Sequence, residues 1–125
     1  MPKKRILIID DEVDIASSLK FFLEKTGLYE VRIEQMGQTG IEAATTFKPD
    51  LILLDVMMPD MDGGDVAAQI GEDKLTSRIP IVFLTAAVTK AEADAQGGTI
   101  GDRPVLSKLT SLDQVITYVK RTLGT

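Results

Sequence analysis

A chain of 125 residues, 44% hydrophobic and 26% charged, has the size and composition of one water-soluble domain with a single core. It contains no cysteine for a disulfide framework and no histidine to act as base, nucleophile or metal ligand, so any histidine chemistry must come from a partner. The net charge of −5, with basic residues clustered only at Lys3–Arg5, argues against direct nucleic-acid binding, and no apolar run is long enough for a membrane span or a signal-peptide core.

Ile6–Ile9 reads as a short buried strand that ends at Asp10-Asp11. A helix is expected over about Asp14–Lys25, with Ile15, Ala16, Leu19, Phe22 and Leu23 on one face. Asp11, Glu12 and Asp14 suit its N-terminal end, and Gly27 its stop. Phe21 falls off that stripe and marks a candidate docking face. Tyr29–Glu34 alternates apolar and polar residues, as a half-exposed or edge strand does. Thr39 and Glu42 have capping-box spacing and predict a helix from about Gly40 to Phe47, with Pro49 barring its continuation. Leu51–Leu54 is a continuous apolar run, suited to a strand buried on both faces, and it delivers one carboxylate, Asp55, to its end. After the Pro59–Gly63 loop a short helix is expected from about Gly64, its end blurred by Gly71.

Pro80–Thr85 is a further buried strand ending at a hydroxyl. Ala86–Asp102 is thin in large apolar residues and broken by Gly97, Gly98 and Gly101. Pro104–Ser107 is a last strand, ending at Lys108. Ser111 and Gln114 form a second capping box, and Leu112, Val115, Ile116, Val119 and Leu123 form an amphipathic stripe with Tyr118 off it, a second candidate docking face. Five strands, each followed by a helix or helix-like segment, imply an α/β protein with a parallel sheet covered on both faces.

Asp10, Asp11, Asp55, Thr85 and Lys108 all fall at or just past the carboxyl end of a strand, the edge where open parallel sheets bind ligands. Taken singly, each has an ordinary structural explanation; their shared rim is what points to a site. Carboxylates gathered there repel one another and call for a cation. Oxygen ligands without His or Cys suit a hard ion, Mg²⁺ or Mn²⁺. A carboxylate beside a metal, a lysine and a hydroxyl is equipped for phosphoryl transfer to Asp.

These stretches, ILIIDDEVDI at Ile6–Ile15, LILLDVMMPDMDG at Leu51–Gly63, FLTA at Phe83–Ala86, and Lys108, recur in the order and spacing of the receiver domain of two-component response regulators, which the chain resembles over nearly its whole length. The resemblance implies a flavodoxin-like (βα)5 three-layer sandwich with a parallel sheet in the order 2-1-3-4-5, residues 1–125 forming a single receiver domain. It also implies roles. Asp55 resembles the phospho-acceptor, which takes a phosphoryl group from a histidine kinase or His phosphotransfer protein. Asp10, Asp11, Asp55 and the backbone carbonyl of Met57 resemble the Mg²⁺ ligands, Thr85 the switch hydroxyl, and Lys108 the phosphate-binding lysine. Such domains are cytoplasmic signalling switches, and catalyse only their own phosphorylation and dephosphorylation. With no output domain after Thr125, signalling would pass to an unknown downstream protein, unless the chain was cut from a longer one.

The chain departs from the family pattern at several places. Leu109 stands where a proline usually follows the lysine, and Val105 where an aromatic usually swings inward with the switch hydroxyl. Met57 and Ala87 occupy the positions that tune phosphoryl lifetime, and neither side chain positions water, so slow self-dephosphorylation is expected. The thin Ala91–Gly101 segment is expected to be short or mobile. These departures leave open a degenerate receiver that acts as a constitutive interaction module. A phosphatase or phosphotransferase of the haloacid-dehalogenase type is disfavoured because Met57 stands where that family needs a second Asp, and an acidic loop after the first strand disfavours flavin.

Overall fold

A computed structural model describes residues 2–85, 99–100, 103–108 and 110–125, with residues 99–100 as backbone. Five parallel strands form the sheet: β1 (Lys4–Ile9), β2 (Tyr29–Glu34), β3 (Leu51–Asp55), β4 (Ile81–Thr85) and β6 (Arg103–Ser107). A two-residue strand, β5 (Thr99–Ile100), pairs antiparallel with β6, giving the order β2-β1-β3-β4-β6-β5. The parallel strands therefore lie in the expected flavodoxin-like order, with β6 as the fifth. The small antiparallel addition falls in the segment whose sequence carries too little apolar pattern to announce it. The helices among the described residues are α1 (Val13–Lys25), α2 (Gly37–Thr46), α3 (Gly63–Glu72) and α4 (Leu112–Leu123).

The runs Ile6–Ile9 and Leu51–Leu54 are fully buried because helices cover both sheet faces. Alternate residues of each strand point to opposite sides. Ile6, Ile8, Leu51, Leu53, Val82 and Leu84 pack with Ala16, Leu19 and Leu23 of α1 and Val115 and Val119 of α4. Leu7, Ile9, Ile52, Leu54, Phe83 and Val105 pack instead with Ala43 and Ala44 of α2 and Val66, Ala67 and Ile70 of α3. Val105 is thus a core residue on β6, paired across the sheet with Phe83.

Three local expectations are corrected. Helix α2 begins at Gly37, not at a Thr39 capping box: its N-cap is Met36, and the Thr39 hydroxyl donates back to the Met36 carbonyl at 3.1 Å. The orphan amides of its first turn are met by Asp60, whose carboxylate accepts from Gly37 N at 3.1 Å and Gln38 N at 3.4 Å. Phe22, placed on the buried stripe by periodicity, is exposed and packs edge-on against the exposed Phe21. Tyr118, placed off the stripe of α4, is half-buried and packs against the core at its margin. The Ser111 cap holds as expected, its hydroxyl accepting from Gln114 N. Ala86, Ala87, Leu109 and the Ala91–Gly101 segment, apart from the backbone of Thr99–Ile100, lie outside the described residues.

Candidate functional site

Strand register builds the site. Ile9 lies opposite Leu54 on the neighbouring strand, so Asp10 and Asp55 emerge side by side where β1 and β3 end. Thr85 ends β4 on the other flank of β3, buried and opposite Ser107 of β6. Lys108 follows β6 directly, and its backbone N–H donates to the Thr85 carbonyl at 3.0 Å. The turn from β6 thus starts with the lysine already aimed at the rim.

The side chains converge. The Lys108 side chain is 2% exposed, and its Nζ lies 2.9 Å from Asp10 Oδ2, 3.0 Å from Asp10 Oδ1 and 3.3 Å from Asp55 Oδ2. It also donates to Glu12 Oε1 at 2.7 Å. Asp10 is 0% and Asp55 4% exposed, whereas Asp11 is open to solvent. One carboxylate oxygen from each of Asp10, Asp11 and Asp55 falls within 4.8 Å of the others, a spacing that suits ligation of one cation. Asp10 Oδ2 is buried and accepts no hydrogen bond, although it has the Lys108 ammonium beside it, so a lone pair remains for a further cationic partner. The donors are all oxygen, as a hard divalent ion requires.

Electrostatics follow from this crowding. Burial, then the Asp10 charge, push the Asp55 carboxyl up to about 7. Lys108 and the Met57 N–H, which donates to Asp55 Oδ1 at 3.3 Å, pull the other way without cancelling the rise. Burial opposes charge on Lys108, but its hydrogen bonds to Glu12 and Asp10 and the Asp10 and Asp55 charges outweigh it and hold the ammonium above the usual lysine value. A protonated lysine therefore faces a carboxyl that a second cation would drive into its ionised form.

The loop after β3 is held against Asp55. Gly63 N donates to the Val56 carbonyl at 2.8 Å, and a Cβ on Gly63 would stand 2.3 Å from the Asp55 carbonyl oxygen. Only glycine permits that approach. Asp62 caps α3 through Gly64 N at 2.7 Å, while Asp60 reaches α2, so the second half of the loop is tied to both helices.

Asp10, Asp11, Asp55 and Lys108 come together as the sequence predicted, with Thr85 on the adjoining strand end and the Met57 backbone touching Asp55 through its N–H. Glu12 was missed. Its signal was its place third in the acidic run after β1, which reads equally well as favourable charge at a helix N-terminus.

Comparison with known proteins agrees with this architecture. Residues 6–120 match the family model described as response regulator receiver domain. The phosphate regulon transcriptional regulatory protein PhoB of Pseudomonas aeruginosa is 37% identical over 125 residues, covering 98% of this chain and 53% of that protein. The alkaline phosphatase synthesis transcriptional regulatory protein PhoP of Bacillus subtilis is 45% identical over 83 residues, covering 66% of this chain and 33% of its own length. The chain thus spans a third to about half the length of these relatives. Among solved structures, a CheY-like receiver domain protein of Methanospirillum hungatei superposes with a TM-score of 0.81 at 26% identity, covering 98% of this chain and 95% of that one. No helix among the described residues is long and apolar enough to cross a membrane.

Proposed function

The chain belongs to the response regulator receiver domain family, and from that membership we propose that it is a signalling switch whose acceptor is Asp55. An Asp55 carboxylate oxygen attacks the phosphorus of a partner's phosphohistidine. The P–N bond breaks, and the imidazole leaves with its electron pair and takes up a proton. Asp10, Asp11, Asp55 and the Met57 carbonyl are the proposed ligands of a Mg²⁺ ion, which when bound would neutralise charge on the transferring oxygens. Lys108 pairs with a phosphoryl oxygen, and Thr85 donates its hydroxyl to the attached group. The chain catalyses its own phosphorylation and dephosphorylation and transforms no other substrate.

The observation that carries this proposal is the convergence of Lys108 on Asp10 and Asp55 at a buried strand rim with three carboxylates in ligating range. A groove of about 310 Å³ beside Lys108, lined by Asp14, Ile15, Ser18 and Leu112, supports approach of a donor protein from the α1–α4 side. Its partners are a histidine kinase or phosphotransfer protein and a downstream protein target, and it works in the cytoplasm. With no carboxamide or acid side chain at Met57 to orient water, the acyl phosphate should be long-lived.

The test is incubation with Mg²⁺ and acetyl phosphate followed by intact-mass measurement. One added phosphoryl group is expected, lost in Asp55→Asn and lost on chelation. Absence of labelling under any divalent metal would instead favour a constitutive interaction module.

A further inference from the structure

Lys108 has one more acidic partner than phosphoryl transfer requires. Its shortest ion pair, 2.7 Å, is to Glu12, which belongs neither to the proposed metal ligands nor to the acceptor. Its contacts with Asp10 are 2.9 and 3.0 Å, and its longest, 3.3 Å, is to Asp55 itself. Glu12 occupies the N-cap of α1, yet its side chain makes no capping hydrogen bond. Its backbone N–H is already tied to Asp10 Oδ1 at 2.9 Å, which fixes the residue over the rim and leaves the carboxylate for the lysine.

We propose that Glu12 is a positioning residue that competes for Lys108 in the unphosphorylated state and releases it to the phosphoryl group on Asp55. The proposal rests on the receiver mechanism above. Burial sets the direction of the exchange. Lys108 and Asp10 are enclosed, but the Glu12 side chain is 48% exposed, so water replaces the ammonium at little cost when the lysine turns away. A phosphoryl group brings close to two negative charges and three strong acceptor oxygens to the place where Asp55 offers one. The lysine therefore has a weaker, wet partner at rest and a stronger, enclosed one after transfer. Glu12 sets how much of that gain is spent on releasing the first partner.

Beryllofluoride, a non-covalent stand-in for the phosphoryl group, reads this exchange without chemistry. Its affinity is measured by fluorine NMR or calorimetry at saturating Mg²⁺. Glu12→Gln keeps the shape and removes the charge, and is expected to tighten binding about threefold, the scale of a half-exposed ion pair. Asp65→Asn removes the same charge from the first turn of α3, from an exposed acid that makes no ion pair with Lys108, and is expected to leave the affinity unchanged. The lifetime of the aspartyl phosphate made with acetyl phosphate is expected to lengthen in Glu12→Gln. Unchanged or weaker beryllofluoride binding in Glu12→Gln overturns the proposal, as does equal tightening in Asp65→Asn. Wild-type protein that binds no beryllofluoride overturns the receiver mechanism itself, an outcome seen before either variant is compared.

Discussion

Asp55 pays in stability for its position. Its carboxyl, at 3.8 in an unfolded chain, is lifted to about 7 by burial and by the charge of Asp10. An acid whose folded value is raised binds more protons folded than unfolded between those two values. Its stabilising contribution is therefore full below about pH 4 and is lost as pH rises through about 7. In metal-free protein, urea titrations across that window should show stability falling as pH rises. Asp55→Asn should flatten the fall and be the more stable variant at pH 8. Equal slopes in the two proteins would show that Asp55 is not the strained group. Which acid would be strained was only half legible in the sequence. That Asp55 ends an apolar run could be read from Leu51–Leu54, but the size of the shift depends on Asp10 standing beside it, which register alone decides.

At the scale of elements, the turns and helix starts hold the rim in shape. Gly63 touches the Asp55 carbonyl so closely that any side chain must move backbone. Gly63→Ala is expected to cost about 2 kcal/mol or more by urea unfolding, beyond the usual cost of a surface helix change, and to slow labelling at Asp55. Stability within about 0.5 kcal/mol of wild type would mean the loop has room it does not show. Helix α2 offers a paired test. Capping-box spacing put its cap at Thr39, whereas the structure gives the first-turn amides to Asp60, 23 residues from Gly37. Asp60→Ala should cost about 1 kcal/mol, as loss of a cap does, and Thr39→Ala much less. The reverse order would restore the capping box. The miss has a physical cause: a cap supplied across a loop leaves no spacing pattern next to the helix it caps. Ser111, whose cap is local, was legible for the same reason.

At the scale of the molecule, topology converts scattered residues into one site. The strands were readable because runs such as Ile6–Ile9 and Leu51–Leu54 have no polar face, and their order came from the family resemblance, which the pairings bear out. The order brings residues 10, 55 and 108 into contact although almost the whole chain separates the first from the last. What stayed hidden was side-chain allegiance: Glu12 turned toward Lys108, Phe22 left outside, Tyr118 drawn in. These depend on the exact rotation of α1 and α4 against the sheet, which a repeat near 3.6 residues fixes only coarsely.

The proposed switch carries its acyl phosphate on one residue, Asp55. Protein treated with Mg²⁺ and acetyl phosphate can be reduced with borohydride, which converts an aspartyl phosphate to homoserine, and then mapped by peptide mass. Homoserine at position 55, dependent on Mg²⁺ and absent without the phosphodonor, is the predicted result. Homoserine at Asp10 or Asp11, or none at any position while the protein remains folded, would contradict the account.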